Sequence, residues 1–217
     1  MLANSNKRNI LMKKNIDLFL RAFITGTLIA VGGIAYLSCD NKYIGSFLFG
    51  TGLFVILNFD LALFTGKVGY AVNNKPDYLF DLLIIWLGNF AGTAISALLV
   101  LCTRISGISE KASALCEIKT SDSPVSILVL AFFCGMLMFI AADGYKAISN
   151  SAGKALTIFL PVVVFILSGF EHCIANMFYF SLSGAWTAKS FGYLLLMSLG
   201  NAIGGIFLPT FRKGFIK

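Results

Sequence analysis

The stretch SGFEHCIANMF, Ser168–Phe178, interrupts a long apolar run, and the fold turns on how it is read. It places an acid (Glu171), the single histidine of the chain (His172) and an amide (Asn176) in quick succession. The run around it, Ala155–Phe180, is long enough to cross a bilayer, which takes about 20 apolar residues. Ser168-Gly169 just before the acid offers a place for the helix to stop, because glycine takes positive φ freely. Non-helical backbone at membrane depth is tolerated only where it is buried in protein or lines a water-filled path. The polar residues therefore mark a broken spanning helix at a narrow point of such a path.

The rest of the chain fits that setting. Its 217 residues are 58% hydrophobic and 12% charged, with a mean hydropathy of +0.85, outside the range of soluble domains. Apolar runs lie at about Leu18–Cys39, Tyr43–Phe64, Leu79–Cys102, Val125–Ala142, Ala155–Phe180 and Phe191–Phe211. The expected class is an all-α integral membrane protein, one transmembrane domain of six helices. Membrane strands would alternate over segments of about ten residues, and these runs are continuous. The first run is too long for a signal-peptide core and no small-residue cleavage site follows it, so it reads as a helix.

A net charge of +7 raises the question of nucleic acid, and its distribution answers it. Lys7, Arg8, Lys13, Lys14, Lys67, Lys75, Lys146, Lys154, Arg212, Lys213 and Lys217 fall on the side of the termini. The smaller set Lys42, Arg104, Lys111, Lys119 and Lys189 falls on the other. The positive-inside rule puts both termini in the cytoplasm of a plasma-membrane protein, and no nucleic-acid partner is implied. Cys39, Cys102, Cys116, Cys134 and Cys173 form no CxxC pair and read as small packing residues.

Loops are short except Thr103–Ser123, whose Ser/Glu/Lys composition divides the chain into two groups of three helices. Leu87-Gly88-Asn89 with Gly92 in the third helix recurs as Leu199-Gly200-Asn201 with Gly204 in the sixth. Phe59-Asp60 in the second is matched by Phe170-Glu171 in the fifth. With an odd number of spans in each half, the halves, approximately residues 17–103 and 124–211, would be inverted repeats with a transport site at their interface. The GxxxG spacings permit close helix packing, and Asn89 and Asn201 beside them suit hydrogen bonds between helices or to a non-helical segment.

A second break is expected in DLALFTGKVGY, Asp60–Tyr70, at Thr65-Gly66 with Gly69 following. Breaks expose unpaired N–H groups and positive dipole ends, an anion-attracting centre. A carboxylate at this depth is normally paired or functional, and Glu171 reads as holding its break in shape, with backbone N–H groups, Asn89, Asn201 or Asn176 as partners. His172 reads as functional, able to donate a hydrogen bond or a proton to a small anion. Asp60 could pair with Arg21 or with a backbone donor. Phe54, Phe59, Phe64 and Phe165 could be core or constriction. An enzyme or metal centre is not expected: Glu171, His172 and Cys173 would point about 100° apart on a helix and cannot converge on one ion.

The strings LFTGKV (Leu63–Val68), LGNFAGT (Leu87–Thr93), KALTIFLPVVVFILSGFEHCIANMF (Lys154–Phe178) and LGNAIGG (Leu199–Gly205) resemble the formate/nitrite transporter family of anion channels. The resemblance runs in order from the first helix to the sixth, and GFEHCIANMF is its most specific part. It implies an aquaporin-like protomer with inverted repeats and broken second and fifth helices, a homopentamer with a pore in each subunit, no cofactor, and passage of formate, nitrite, hydrosulfide, acetate or lactate. By matching position it makes His172 the central pore histidine and Thr65 the hydroxyl facing it. Leu53 with Phe165 would form the cytoplasmic constriction, and Phe64 with Met138 the external one. Lys119 would be the outer vestibule lysine, although the sequence alone makes it a solvated loop residue, and Lys154 belongs to the basic inner mouth.

Three positions depart from the family pattern. Ala62 stands where an acid is common, with Asp60 displaced by two. Gly135 replaces an asparagine found in formate-type members, which shifts the expectation toward hydrosulfide. The inner-mouth lysine has Lys14 and Arg21 as candidates. The mechanism implied is that an anion entering an apolar constriction becomes easier to protonate and crosses near-neutral with help from His172 and Thr65. The alternative is an aquaporin-like pore for neutral solutes in which His172 only orients water.

Overall fold

Backbone groups in apolar surroundings must find partners within the chain, and here they do so in helices. The computed structural model describes residues 2–215, with side chains described for 9–211. Lys217, and the side chains of Lys7, Arg8, Arg212 and Lys213, lie outside the described part. Among the described residues there are α-helices, one 3-10 turn and no strand. In order they are α1 (Leu2–Ser38), α2 (Lys42–Asn58), α3 (Phe64–Lys67) running into a 3-10 turn (Val68–Asn73), α4 (Tyr78–Leu101), α5 (Ile108–Ser121), α6 (Pro124–Ala147), α7 (Ser151–Leu167), α8 (Cys173–Ser183) and α9 (Ala188–Phe215).

Four of these, α1, α4, α6 and α9, contain stretches long and apolar enough to cross a membrane, while α2, α7 and α8 are shorter apolar helices. Starts are set by local chemistry. The Asn41 side chain accepts from the N–H groups of Tyr43 and Ile44, Ser123 caps α6 with Pro124 at its first position, and Asn150 caps α7. Each satisfies donors that a helix start leaves open.

The long helices pack in pairs, α1 on α4 and α6 on α9, and the GxxxG glycines are the reason. A Cβ on Gly88 would come within 2.8 Å of the Phe19 carbonyl oxygen, and one on Gly200 within 2.7 Å of the Leu128 carbonyl oxygen. Gly92 and Gly204 meet the carbonyls of Phe23 and Phe132 as closely. Only glycine lets the backbones approach this far.

Two expectations need correction. The stretch 103–123 is not a loop: it holds α5, whose buried residues are Ala112 and Cys116, one turn apart. That stripe is too narrow to stand out in a Ser/Glu/Lys-rich segment. The break after α2 lies at 59–63, one turn before Thr65-Gly66. Gly66 is helical, and the positive φ belongs to Asp60, at 45°. The break is held by a partner rather than by a glycine, since Asn89 bonds both Ala62 and Phe64 across it. Residues 168–172 separate α7 from α8, with Gly169 at φ 70°.

The residues expected at constrictions also take definite places along the bundle. α7 does not stop halfway: the carbonyl of its last residue, Leu167, accepts from Lys42 at the first residue of α2, on the face away from the termini. The chain then turns, and the His172 ring lies back against Phe165, with centroids 5.6 Å apart. Phe165 is therefore on the α5 side of His172. Phe64 begins the short helix leading to Lys67, and Met138 lies in the half of α6 nearer Lys146, so both belong to the terminus side. Leu53 lies late in α2, in the half of that helix away from Lys42.

Candidate functional site

Asn89 and Asn201, both fully buried, build the centre. The Asn89 side chain accepts from the Phe64 N–H (2.9 Å) and donates to the carbonyls of Ala22 (2.8 Å) and Ala62 (2.9 Å). Asn201 accepts from the Cys173 N–H (2.8 Å) and donates to the carbonyls of Ala131 (2.7 Å) and Glu171 (2.8 Å). The two sets are the same three bonds in each half: one to the neighbouring long helix, one to each side of a break. An amide is the side chain that can accept one bond and donate two.

The breaks meet at Thr65 and His172. Both are buried, and Thr65 Oγ1 lies 2.9 Å from His172 Nε2. His172 is the N-cap of α8, where its Nδ1 accepts from the Ala175 N–H at 3.0 Å. A ring that accepts at Nδ1 carries its proton on Nε2, so Nε2–H points to the Thr65 oxygen. On the α5 side the ring stacks on Phe165, and Phe165 meets Phe49 edge-on at 5.6 Å. Phe49, which the sequence analysis did not single out, lies one turn before Leu53 in α2.

Glu171 points away from this pair. Its Oε2 accepts from Lys119 Nζ at 2.7 Å and from Asn176 Nδ2 at 2.6 Å. The side chains of Lys119 and Glu171 are 13% and 5% exposed, so Lys119 is a largely buried partner, not the solvated residue that its neighbours in sequence suggested. A buried carboxylate demands such a partner, and that demand was the signal available. Asn176 also reaches Met197 Sδ (3.1 Å) and is committed to this network.

On the terminus side, Asp60 pairs with Lys67 (3.1 Å), not with Arg21, which pairs with Asp17 (2.9 Å). Lys14 bonds Asp81 on α4 (2.9 Å). Both candidates for the inner-mouth lysine are thus half-exposed and engaged on the outer surface. Lys154 stands 4.8 Å over the Tyr145 ring at the start of α7. Gly135 packs onto the Asn201 backbone without room for a side chain, so its being glycine follows from helix packing and carries no information about substrate. The five cysteines are free, and among the described residues no three His, Cys, Asp or Glu side chains gather as a metal site.

The chain is all-helical among its described residues, with four helices long and apolar enough to cross a membrane. The sequence model of the formate/nitrite transporter family matches residues 3–213, and the chain belongs to that family. It is 29% identical over 180 residues to the uncharacterized transporter YrhG of Bacillus subtilis (strain 168), covering 76% of this chain and 68% of that one. To the formate channel FocA of Escherichia coli (strain K12) it is 26% identical over 238 residues, covering 89% of this chain and 84% of the relative. A solved pentameric formate channel with formate bound shares the fold with a TM-score of 0.77 at 21% identity, covering 93% and 97% of the two chains.

Proposed function

We propose that the protein conducts small monovalent anions of weak acids, with formate, nitrite and hydrosulfide as the substrates to test, along a path between the two breaks. The observation that carries this reading is the contact of His172 Nε2 with Thr65 Oγ1, buried between two breaks and screened by Phe165. An anion reaching this point loses water and becomes easier to protonate. The Nε2–H and the Thr65 hydroxyl are donors suited to a small oxyanion or to hydrosulfide.

His172 serves as a hydrogen-bond donor rather than as a fixed cation. A doubly protonated ring would lose the bond from Ala175 and set a positive charge at the positive end of α8. The proton that neutralises the substrate then arrives by water, and flux follows the gradients of both anion and proton.

In this reading α2 with the segment through Asn73, and α7 with α8, add two crossings to the four long helices. The six form inverted repeats of three, in one transmembrane domain. Five copies assemble, as in the pentameric formate channel of like fold, in the plasma membrane with both termini cytoplasmic. Flux of formate, nitrite and hydrosulfide into proteoliposomes at several pH values, beside a His172→Asn variant, tests the proposal. Selective flux, rising as pH falls and lost in the variant, is the expected result. Passage of water or glycerol with no anion flux would replace it with the neutral-solute reading.

A further inference from the structure

The two halves differ in where they keep charge. At the second break Glu171 takes Lys119 inside the protein. At the matching place in the first, where Asn89 holds the backbone, stands Ala62, a buried methyl group. The charge on that side has moved to the rim. A cavity of about 300 Å³ there is lined by Asp60, Leu63, Gly66, Lys67, Tyr145 and Lys146, among others. Leu63 and Gly66 flank Phe64-Thr65, so the cavity abuts the segment that presents Thr65 to His172. A water takes roughly 30 Å³ in the liquid, which leaves room for a small anion with part of its hydration shell.

Two ammonium groups line this space. Lys67 Nζ is held at 3.1 Å by Asp60, and Lys146 Nζ lies 4.5 Å over the Tyr70 ring. Asp60 is the one described non-glycine residue with positive φ, a conformation that disfavours most L-residues and that Asp and Asn tolerate best. The chain accepts local strain to set a carboxylate before Lys67. That carboxylate is 75% exposed, and an ion pair so open to water is weak and easily exchanged.

We propose that this cavity binds a small monovalent anion between Lys67 and Lys146, and that Asp60 is the resident counter-ion which the anion displaces. The site would load the path from the terminus side, in place of a buried lysine–carboxylate pair. This rests on reading the Thr65–His172 contact as part of an anion pathway, yet it can be measured without transport.

The test is equilibrium binding of radiolabelled formate to the purified full-length protein in detergent at low ionic strength. Wild type, Asp60→Asn, Lys67→Gln/Lys146→Gln and, as a control for surface charge, Lys14→Gln are compared. Asn keeps the tolerance for positive φ, so Asp60→Asn removes the charge and leaves the turn. The expected result is binding several-fold tighter in Asp60→Asn, several-fold weaker in the double variant and unchanged in Lys14→Gln. Absence of saturable binding in wild type, equal binding in Asp60→Asn and the double variant, or equal weakening by Lys14→Gln would overturn it. Formate flux in proteoliposomes separates the two readings. The expected binding pattern without anion flux keeps the site and removes the transport reading, while flux with binding indifferent to residues 60, 67 and 146 does the reverse.

Discussion

His172 has a different task for each ring nitrogen, and substitutions can separate them. Nδ1 caps α8 and Nε2 faces Thr65. Asparagine is a strong N-cap, so His172→Asn keeps the helix start and loses the donor toward Thr65; phenylalanine loses both. The expected outcome is loss of anion flux by tenfold or more in each. Thermal stability in detergent should stay near wild type for His172→Asn and fall by about 1 kcal/mol for His172→Phe. Equal destabilisation of the two would mean that the cap bond is immaterial. Glu171→Gln is argued differently, because it strands the Lys119 ammonium at a site with little access to water. Removing one member of a buried pair costs about 3–5 kcal/mol, and Glu171→Gln/Lys119→Met should recover much of that in a thermal unfolding assay. His172 stood out as a lone imidazole in an apolar run, whereas Thr65 was set opposite it by the family resemblance and not by its residue type. Lys119 was not, because nothing in a polar segment announces that a helix carries one of its lysines inward.

At the level of elements, the breaks are maintained by two asparagines on neighbouring helices. The consequence is testable: truncating either should cost more than a packing defect would. Asn201→Ala leaves the Cys173 N–H and the carbonyls of Ala131 and Glu171 without their partner. Each buried group left unsatisfied costs about 1–3 kcal/mol. Asn89→Ala does the same at the first break. Both variants should unfold at markedly lower temperature than Ser198→Ala, which removes a hydroxyl contact to Trp86 Nε1 between the two helices that carry the asparagines. A shift no larger than that of the control would show that the breaks hold themselves. The repeat of LGN and GxxxG made this layer readable, since glycine spacing and an adjacent amide have a direct structural meaning. The location of the first break was not readable, because the glycine that suggested it is helical, while the residue that bends is an aspartate.

At the scale of the molecule, the continuous apolar runs conveyed the membrane class. They could not convey how far across the molecule each segment runs, because that depends on where helices such as α7 and α8 stop and turn. The proposal that the termini face the cytoplasm rests on the basic residues clustered beside them, and native cysteines can test it. Cys102, just past the end of α4, is exposed, whereas Cys116, Cys134 and Cys173 are buried. Lys75, before the start of α4, is exposed at the opposite end of that helix. If the termini are cytoplasmic, a membrane-impermeant maleimide added to intact cells should label wild type through Cys102 and lose most of that label in Cys102→Ser. In Cys102→Ser/Lys75→Cys the label should return only after the membrane is permeabilised. The opposite pattern, with residue 75 open from outside and Cys102 reached only after permeabilisation, would turn the molecule over. It would place the Asp60–Lys67 rim at the external mouth and the buried Lys119–Glu171 pair on the cytoplasmic side.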